Sequence, residues 1–210
     1  MVKSVDGWVR HWDAKSAIED PVELNGYCVG GKPLAFETYR KAVIVPTVDR
    51  LEVEPGQSVL EIGCGSGLIL NELERRGADC VGVDPSKAML DKYSGNAKTI
   101  LSAARECDFA DGSFDRILMV SVAHYFPSLT YFSDVIARCV KWLRAPGILL
   151  IGDIPFVLSA NSRNDYLVYD KHALLDVMDS FGHATSLVAQ SQSKRAINRR
   201  LDVILYKDRA

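Results

Sequence analysis

Val59-Leu60-Glu61-Ile62-Gly63-Cys64-Gly65-Ser66-Gly67-Leu68 reads as a buried β-strand that ends in a glycine-rich turn and runs straight into a helix. Glycine has no Cβ and tolerates φ > 0, so such a turn lets a ligand lie against bare backbone. The N–H groups that open the following helix then face that ligand. Taken alone, the turn is also what many ordinary loops look like. Its setting adds weight. About twenty residues on, a second strand-like run, Cys80-Val81-Gly82-Val83, ends at Asp84, where a carboxylate accepts from both hydroxyls of a ribose. The two elements together predict a nucleoside-containing cofactor.

Spacing narrows the choice. Dinucleotide sites use G-x-G-x-x-G, whereas Gly63, Gly65 and Gly67 form G-x-G-x-G, with Leu68 at the dinucleotide pattern's third glycine position. No Gly-Lys-Ser/Thr follows, which excludes a Walker A loop. Glu61-Ile62-Gly63-Cys64-Gly65-Ser66-Gly67 resembles motif I of the class I S-adenosylmethionine (SAM)-dependent methyltransferases. Val83-Asp84-Pro85-Ser86-Lys87-Ala88-Met89-Leu90 resembles their acidic strand end and next helix. Asp108-Phe109-Ala110-Asp111-Gly112-Ser113-Phe114-Asp115, ahead of a strand and His124-Tyr125-Phe126, is a third match. In order and spacing these are similar to the small-molecule methyltransferases of the type 11 group, over residues 50–152 and poorly at either end.

That resemblance implies SAM as cofactor and S-adenosylhomocysteine (SAH) as product, with no metal. Gly63, Gly65 and Gly67 would border the methionine moiety, Asp84 the ribose, and Ser86 and Met89 the adenine. Glu61 would order the turn or reach the ammonium group, with Cys64, Pro85 and Ser121 on the same rim. Ala103 stands where many relatives carry an acid that accepts from the adenine amine, which leaves that edge to backbone groups near Ala104 and Arg105. As for Cys64 itself, a small filler is the expected role rather than a nucleophile.

At 210 residues the chain fits a single α/β domain large enough to bury a core. Its 48% hydrophobic and 25% charged content are globular averages. A net charge of −2 argues against a dedicated nucleic-acid binder. No apolar run approaches the ~20 residues that span a bilayer. Residues 1–6 lack a signal-like apolar region, and five scattered cysteines without C-x-x-C suit free thiols in a reducing cytoplasm.

Residues 1–50 form an expected N-terminal helical segment, a lid on the acceptor side, and residues 51–210 the α/β core. Helix is predicted over 35–51, kinked or interrupted at Pro46. Strands follow at 58–62, 80–83, 98–102, 115–121, 147–152, 184–190 and 201–206, with helices at 67–76, 86–93, 128–143 and 171–181. The pattern is a Rossmann-like, seven-stranded, mostly parallel sheet with helices on both faces and an antiparallel last strand.

In open α/β sheets ligands bind beyond the carboxyl ends of the strands. His124 follows the fourth strand and is the first choice of general base for a hydroxyl acceptor, with Tyr125 second and a structural histidine the plainer alternative. Trp8, Trp12 and Tyr27 are candidate lid residues, although tryptophans also serve simply to anchor terminal helices. Asp153 either orients the acceptor or caps a turn. Arg199 and Arg200, in the run Lys194–Arg200, either hold an anionic group of the acceptor, with Arg163 as helper, or blunt a solvated hairpin tip. The leading expectation is in-line methyl transfer to a small molecule, with oxygen as the favoured acceptor atom. A non-catalytic protein of the same fold is the alternative, and an aminopropyl transferase would need clustered acids that the sequence lacks. Oligomeric state is not legible.

Overall fold

The computed structural model describes residues 4–26, 28–29, 32–157, 167–189 and 199–208. Helix α1 (Val5–Lys15) begins at Ser4, whose hydroxyl accepts from the Gly7 N–H, and α2 (Pro21–Leu24) is capped by the Asp20 carboxylate. A two-residue ribbon of β1 (Cys28–Val29) and β2 (Lys32–Pro33) leads to α3 (Phe36–Tyr39) and α4 (Val45–Asp49). The core then alternates: β3 (Ser58–Ile62), α5 (Leu68–Arg75), β4 (Asp79–Asp84), α6 (Lys87–Leu90), β5 (Lys98–Leu101), β6 (Phe114–Val120), α7 (Leu129–Trp142) and β7 (Leu143–Val157). The short β8 (Tyr169–Asp170), α8 (Lys171–Asp179), β9 (Ala184–Ala189) and β10 (Arg199–Lys207) complete it.

Among the described residues the main sheet runs β5-β4-β3-β6-β7-β10-β9, with β8 paired to the far end of β7. Strands β3 to β7 pair in parallel, whereas β10 is antiparallel to both β7 and β9. The expected mostly parallel sheet with an antiparallel last strand is the one observed, with β8 as an addition.

Period-two alternation along the strands builds two cores. Leu60, Ile62, Ile117, Met119, Leu149 and Ile151 cluster with Phe132, Val135 and Ile136 of α7 and Leu174 and Met178 of α8. The intervening Val59, Leu118, Ile148 and Leu150 cluster with Ile44, Val48, Leu70 and Leu73 of the N-terminal helices and α5. Both faces are covered, which is why these strands are nearly continuous in apolar residues.

Three boundaries differ from expectation. Pro46 does not break the helix over 36–49. A π-helical turn, Arg40–Ile44, precedes it, the Val45 N–H reaches back to the Arg40 carbonyl, and Thr47 Oγ1 donates to Val43 O at 2.7 Å. Helix α6 is one turn long: it closes at Asp91, whose N–H caps it on the Lys87 carbonyl, short of the expected 86–93. Strand β7 starts at Leu143, since the Pro146-Gly147 segment is absorbed as a bulge: β7 advances five residues, Leu143 to Ile148, while β6 advances two, Phe114 to Arg116. No helix among the described residues is long and apolar enough to cross a membrane.

Candidate active site

The glycine turn at the end of β3 needs its glycines. Gly63, Gly65 and Gly67 have φ of 72°, 54° and 81°, and a Cβ at Gly63 would lie 2.2 Å from Val122 and one at Gly67 2.1 Å from the Tyr93 ring. The turn lies across the end of β4, with the Gly63 and Cys64 N–H groups both donating to Val83 O. Asp84 fastens it: Oδ2 accepts from the Gly65 N–H and Oδ1 from the Ser86 N–H, each at 2.8 Å. Each oxygen keeps a second lone pair, which is what a ribose diol requires. Gly67 is not on the cavity wall; it opens α5.

Glu61 is buried beneath the turn. Burial first, then the charge of Asp84, push its carboxyl well above the usual range, while the Leu70 N–H at the start of α5 pulls the other way. Its Oε2 has no hydrogen-bond partner. Asp84 is likewise raised by burial, against the Ser86 and Gly65 N–H groups. Cys64 is buried and its thiol is raised by burial and by Glu61 and Asp84, which suits a filler and not a nucleophile.

Between the turn and α1 lies a cavity of about 1050 Å³, counted out to its open mouth. Glu61, Gly63, Cys64, Gly65, Asp84, Pro85, Ser86, Met89, Ala104 and Ser121 all line it, so the structure gathers nearly all of the residues expected at the cofactor. Arg105 lines only an adjoining shallow groove; its side chain pairs with Asp134 at 2.9 Å and its N–H donates to the Tyr131 hydroxyl. The charged residues among the described lining are Glu61 and Asp84, both acidic.

The opposite wall comes from α1. Val5, Trp8, Val9 and Trp12 recur at helical spacing and face inward. Trp8 packs on Tyr125 with ring centroids 4.5 Å apart, and Trp12 meets the same ring at 5.8 Å. Ser86 ties this wall to the rest: its hydroxyl donates to Asp13 of α1 and accepts from the Met89 N–H. Tyr125 lines the cavity, but His124 does not. The 3-10 turn Ala123–Tyr125 buries His124 behind it, so of the two residues expected to handle a proton Tyr125 is the one on the cavity wall.

The acceptor-side arginines need a second correction. Arg200 is not at a solvated tip: it is buried in β10, with Nη1 on Asp153 O at 2.8 Å and on Asp153 Oδ2 at 3.2 Å. Its charge is matched by Asp153 and is not offered to an anion. Asp153 lies behind the wall, bonded to the Ser121 hydroxyl at 2.6 Å. Arg199 opens β10 opposite Phe156. Tyr27, Arg163 and residues 194–198 lie outside the described residues.

Sequence reasoning missed Asp13, Asn25, Tyr39, Ser102, Val122 and Tyr131. Asn25 bonds Ser66 in the turn at 2.8 Å, across 41 residues of sequence. Nothing local marked it beyond the turn-forming Asn-Gly pair. Val5 and Val9, by contrast, share the helical spacing of the two tryptophans.

Sheet order, glycine turn and acidic strand end together define a class I SAM-dependent methyltransferase domain. Residues 60–151 match the family model described as Methyltransferase domain. Among curated proteins, the chain is 33% identical over 112 residues to the ubiquinone biosynthesis O-methyltransferase of Mesorhizobium japonicum, covering 50% of this chain and 44% of that one. The chain thus spans less than half the length of that relative. Phosphoethanolamine N-methyltransferase 1 of Haemonchus contortus, solved with phosphoethanolamine and SAH, superposes with a TM-score of 0.77 at 15% identity, over 98% of this chain and 49% of that one. The [4+2]-cyclase SpnF superposes at 0.79 with 12% identity, over 100% and 98%. These two likenesses establish the fold; one fold carries several chemistries.

Proposed function

We propose that this protein moves the sulfonium methyl of SAM to a small molecule, with oxygen as the acceptor atom. The acidic lining of the cavity carries the reading. SAM brings two cationic centres, an ammonium and a sulfonium, which suit a cavity whose charged described lining is Glu61 and Asp84. The unpartnered Glu61 Oε2 fits the ammonium, the free lone pairs of Asp84 fit the ribose hydroxyls, and the bare backbone at Gly63 and Gly65 fits close approach of the methionine moiety. Ser86, Met89 and Ala104 would border the adenine. The relative named for ubiquinone O-methylation supports an oxygen acceptor.

When bound, SAM supplies a methyl group on a sulfur that leaves neutral: the O–C bond forms as the S–C bond breaks, its electron pair stays on sulfur, and the acceptor's proton passes to water. The chain's own work is alignment and water exclusion. Trp8, Trp12 and Tyr125 close the cavity over the reacting atoms, and Tyr125 is the hydroxyl on that wall nearest to a proton-handling role. Calorimetric titration with SAM and SAH, repeated on Asp84→Ala, tests the cofactor. Binding by the wild type, abolished by the variant, is expected; absence of binding by the wild type overturns the reading. Turnover to SAH with added alcohols and phenols then separates an enzyme from a non-catalytic binder.

A further inference from the structure

Beyond Asp84 the cavity wall runs through Ser86 and Ser102 to Ala103, Ala104 and Tyr131. With the ribose on Asp84 and the methionine moiety at the glycine turn, this end is what remains for the base. Ser86, Ser102 and Tyr131 each bring a hydroxyl to it. That of Ser86 donates to Asp13 and accepts from the Met89 N–H, and that of Ser102 donates to the Ala103 carbonyl at 3.1 Å. Tyr131 differs. Its oxygen accepts from the Arg105 N–H at 3.3 Å, while its hydrogen meets no acceptor among the described residues. The ring is held in place: it is buried, with the Phe126 ring 4.9 Å away and the Arg105 guanidinium 5.6 Å from its centre. Asp134, one turn on along α7, pairs with that guanidinium at 2.9 Å.

We infer that Tyr131 is a specificity-determining residue for the cofactor: its hydroxyl takes the Arg105 N–H and passes a hydrogen on to N1, the acceptor nitrogen at the outer edge of the adenine. The inference rests on the proposed function and deepens it. The edge of adenine farthest from the ribose carries two polar groups, the N6 amine, which donates, and N1, which accepts. A phenol has one hydrogen to give and lone pairs to take with. Burial pushes the Tyr131 phenol up, so it keeps that hydrogen at neutral pH. With the Arg105 N–H on its oxygen, the hydrogen turns to the base, where N1 is the group on that edge able to take it. The Arg105 N–H, expected to serve the base directly, thus reaches it through the phenol. A hydroxyl that accepts one hydrogen bond is also a stronger donor of the next. Tyr131 lines the adjoining groove as well, which sets it at the cavity's outer limit, where the far edge of the base falls.

SAH, 1-deaza-SAH (C–H in place of N1) and 3-deaza-SAH (C–H in place of N3) share one shape, and each analogue lacks a single acceptor. Calorimetric titration reads their dissociation constants. The wild type is expected to bind 1-deaza-SAH about tenfold more weakly than SAH, and 3-deaza-SAH within about twofold of SAH. Tyr131→Phe, which keeps the ring and deletes the hydroxyl, is expected to bind SAH and 1-deaza-SAH within about twofold of each other. A role confined to packing weakens all three ligands alike and leaves their ratios as in the wild type. Equal binding of SAH and 1-deaza-SAH by the wild type overturns the inference alone, as does a preference that survives Tyr131→Phe or a loss on 3-deaza-SAH as large as on 1-deaza-SAH. Should Tyr131→Phe not fold, the wild-type comparison decides. Failure of the wild type to bind SAH overturns the cofactor reading and the inference with it.

Discussion

Replacing Glu61 with Gln is expected to move stability and cofactor affinity in opposite directions. Glu61 is 3% exposed, one oxygen faces the Leu70 N–H, and the other has no partner. A buried group left unpartnered costs about 1–3 kcal/mol, and more when charged. Gln has the same shape, keeps an oxygen for Leu70 and carries no charge. At pH 8 the ligand-free variant is therefore expected to be more stable by about 1–2 kcal/mol, or about 2–8 °C in Tm for a domain of this size. Because burial and Asp84 raise the folded-state pKa of Glu61 above its ordinary 4.5, the wild type loses stability as pH rises from that value toward the folded one. The gap between variant and wild type should be closed near pH 4.5 and open as pH increases. Affinity goes the other way: a hydrogen bond to a charged group is worth about 1.5–3 kcal/mol, so SAM and SAH should bind about 10- to 150-fold more weakly. Thermal melts across pH and calorimetric titration read both quantities. A variant that melts below the wild type at pH 8, or that binds SAH as tightly, refutes the reasoning.

Gly67→Ala puts a Cβ into the Tyr93 ring at a left-handed position, and a Tm drop of about 4 °C or more is expected by thermal melt. Asp13→Ala removes the α1 partner of the Ser86 hydroxyl; stopped-flow displacement of SAH should show dissociation faster by about threefold to tenfold with the overall Tm little changed. Trp8→Ala opens the α1 wall beside Tyr125, and turnover should fall more than SAH affinity does, read as kcat against Kd.

The glycine turn and the acidic strand end were legible because their constraints are local. A glycine must stand wherever backbone turns left-handed against a neighbour, and Asp84 sits where a parallel strand ends, so both leave marks at fixed spacing. Tyr125 and His124 were a harder pair. Adjacent residues point in different directions, and only the 3-10 turn decides which of them reaches the cavity. Arg200 misled for a related reason: four cations near a hairpin look solvated until a bulge in the neighbouring strand supplies Asp153 as partner. Asn25 and Asp13 reach the site across 41 and 73 residues of sequence, and no local pattern announces such contacts. Pro46 was marked as a kink or an interruption, and the helix instead runs on through a π turn, Arg40–Ile44, just before it.

The four inward residues of α1 carry a consequence for how relatives are to be understood. Helix α1 spans residues 5–15, entirely upstream of the segment 60–151 that the family shares. The glycine turn and Asp84 therefore lie inside that shared segment, while one wall of the cavity is supplied by a helix outside it, tied to it through Asp13 and Ser86. Substitutions at Val5, Trp8, Val9 and Trp12 would reshape that wall of the cavity. On the proposed reading, likeness over residues 60–151 speaks to the cofactor, and the acceptor would be decided in part by the first dozen residues.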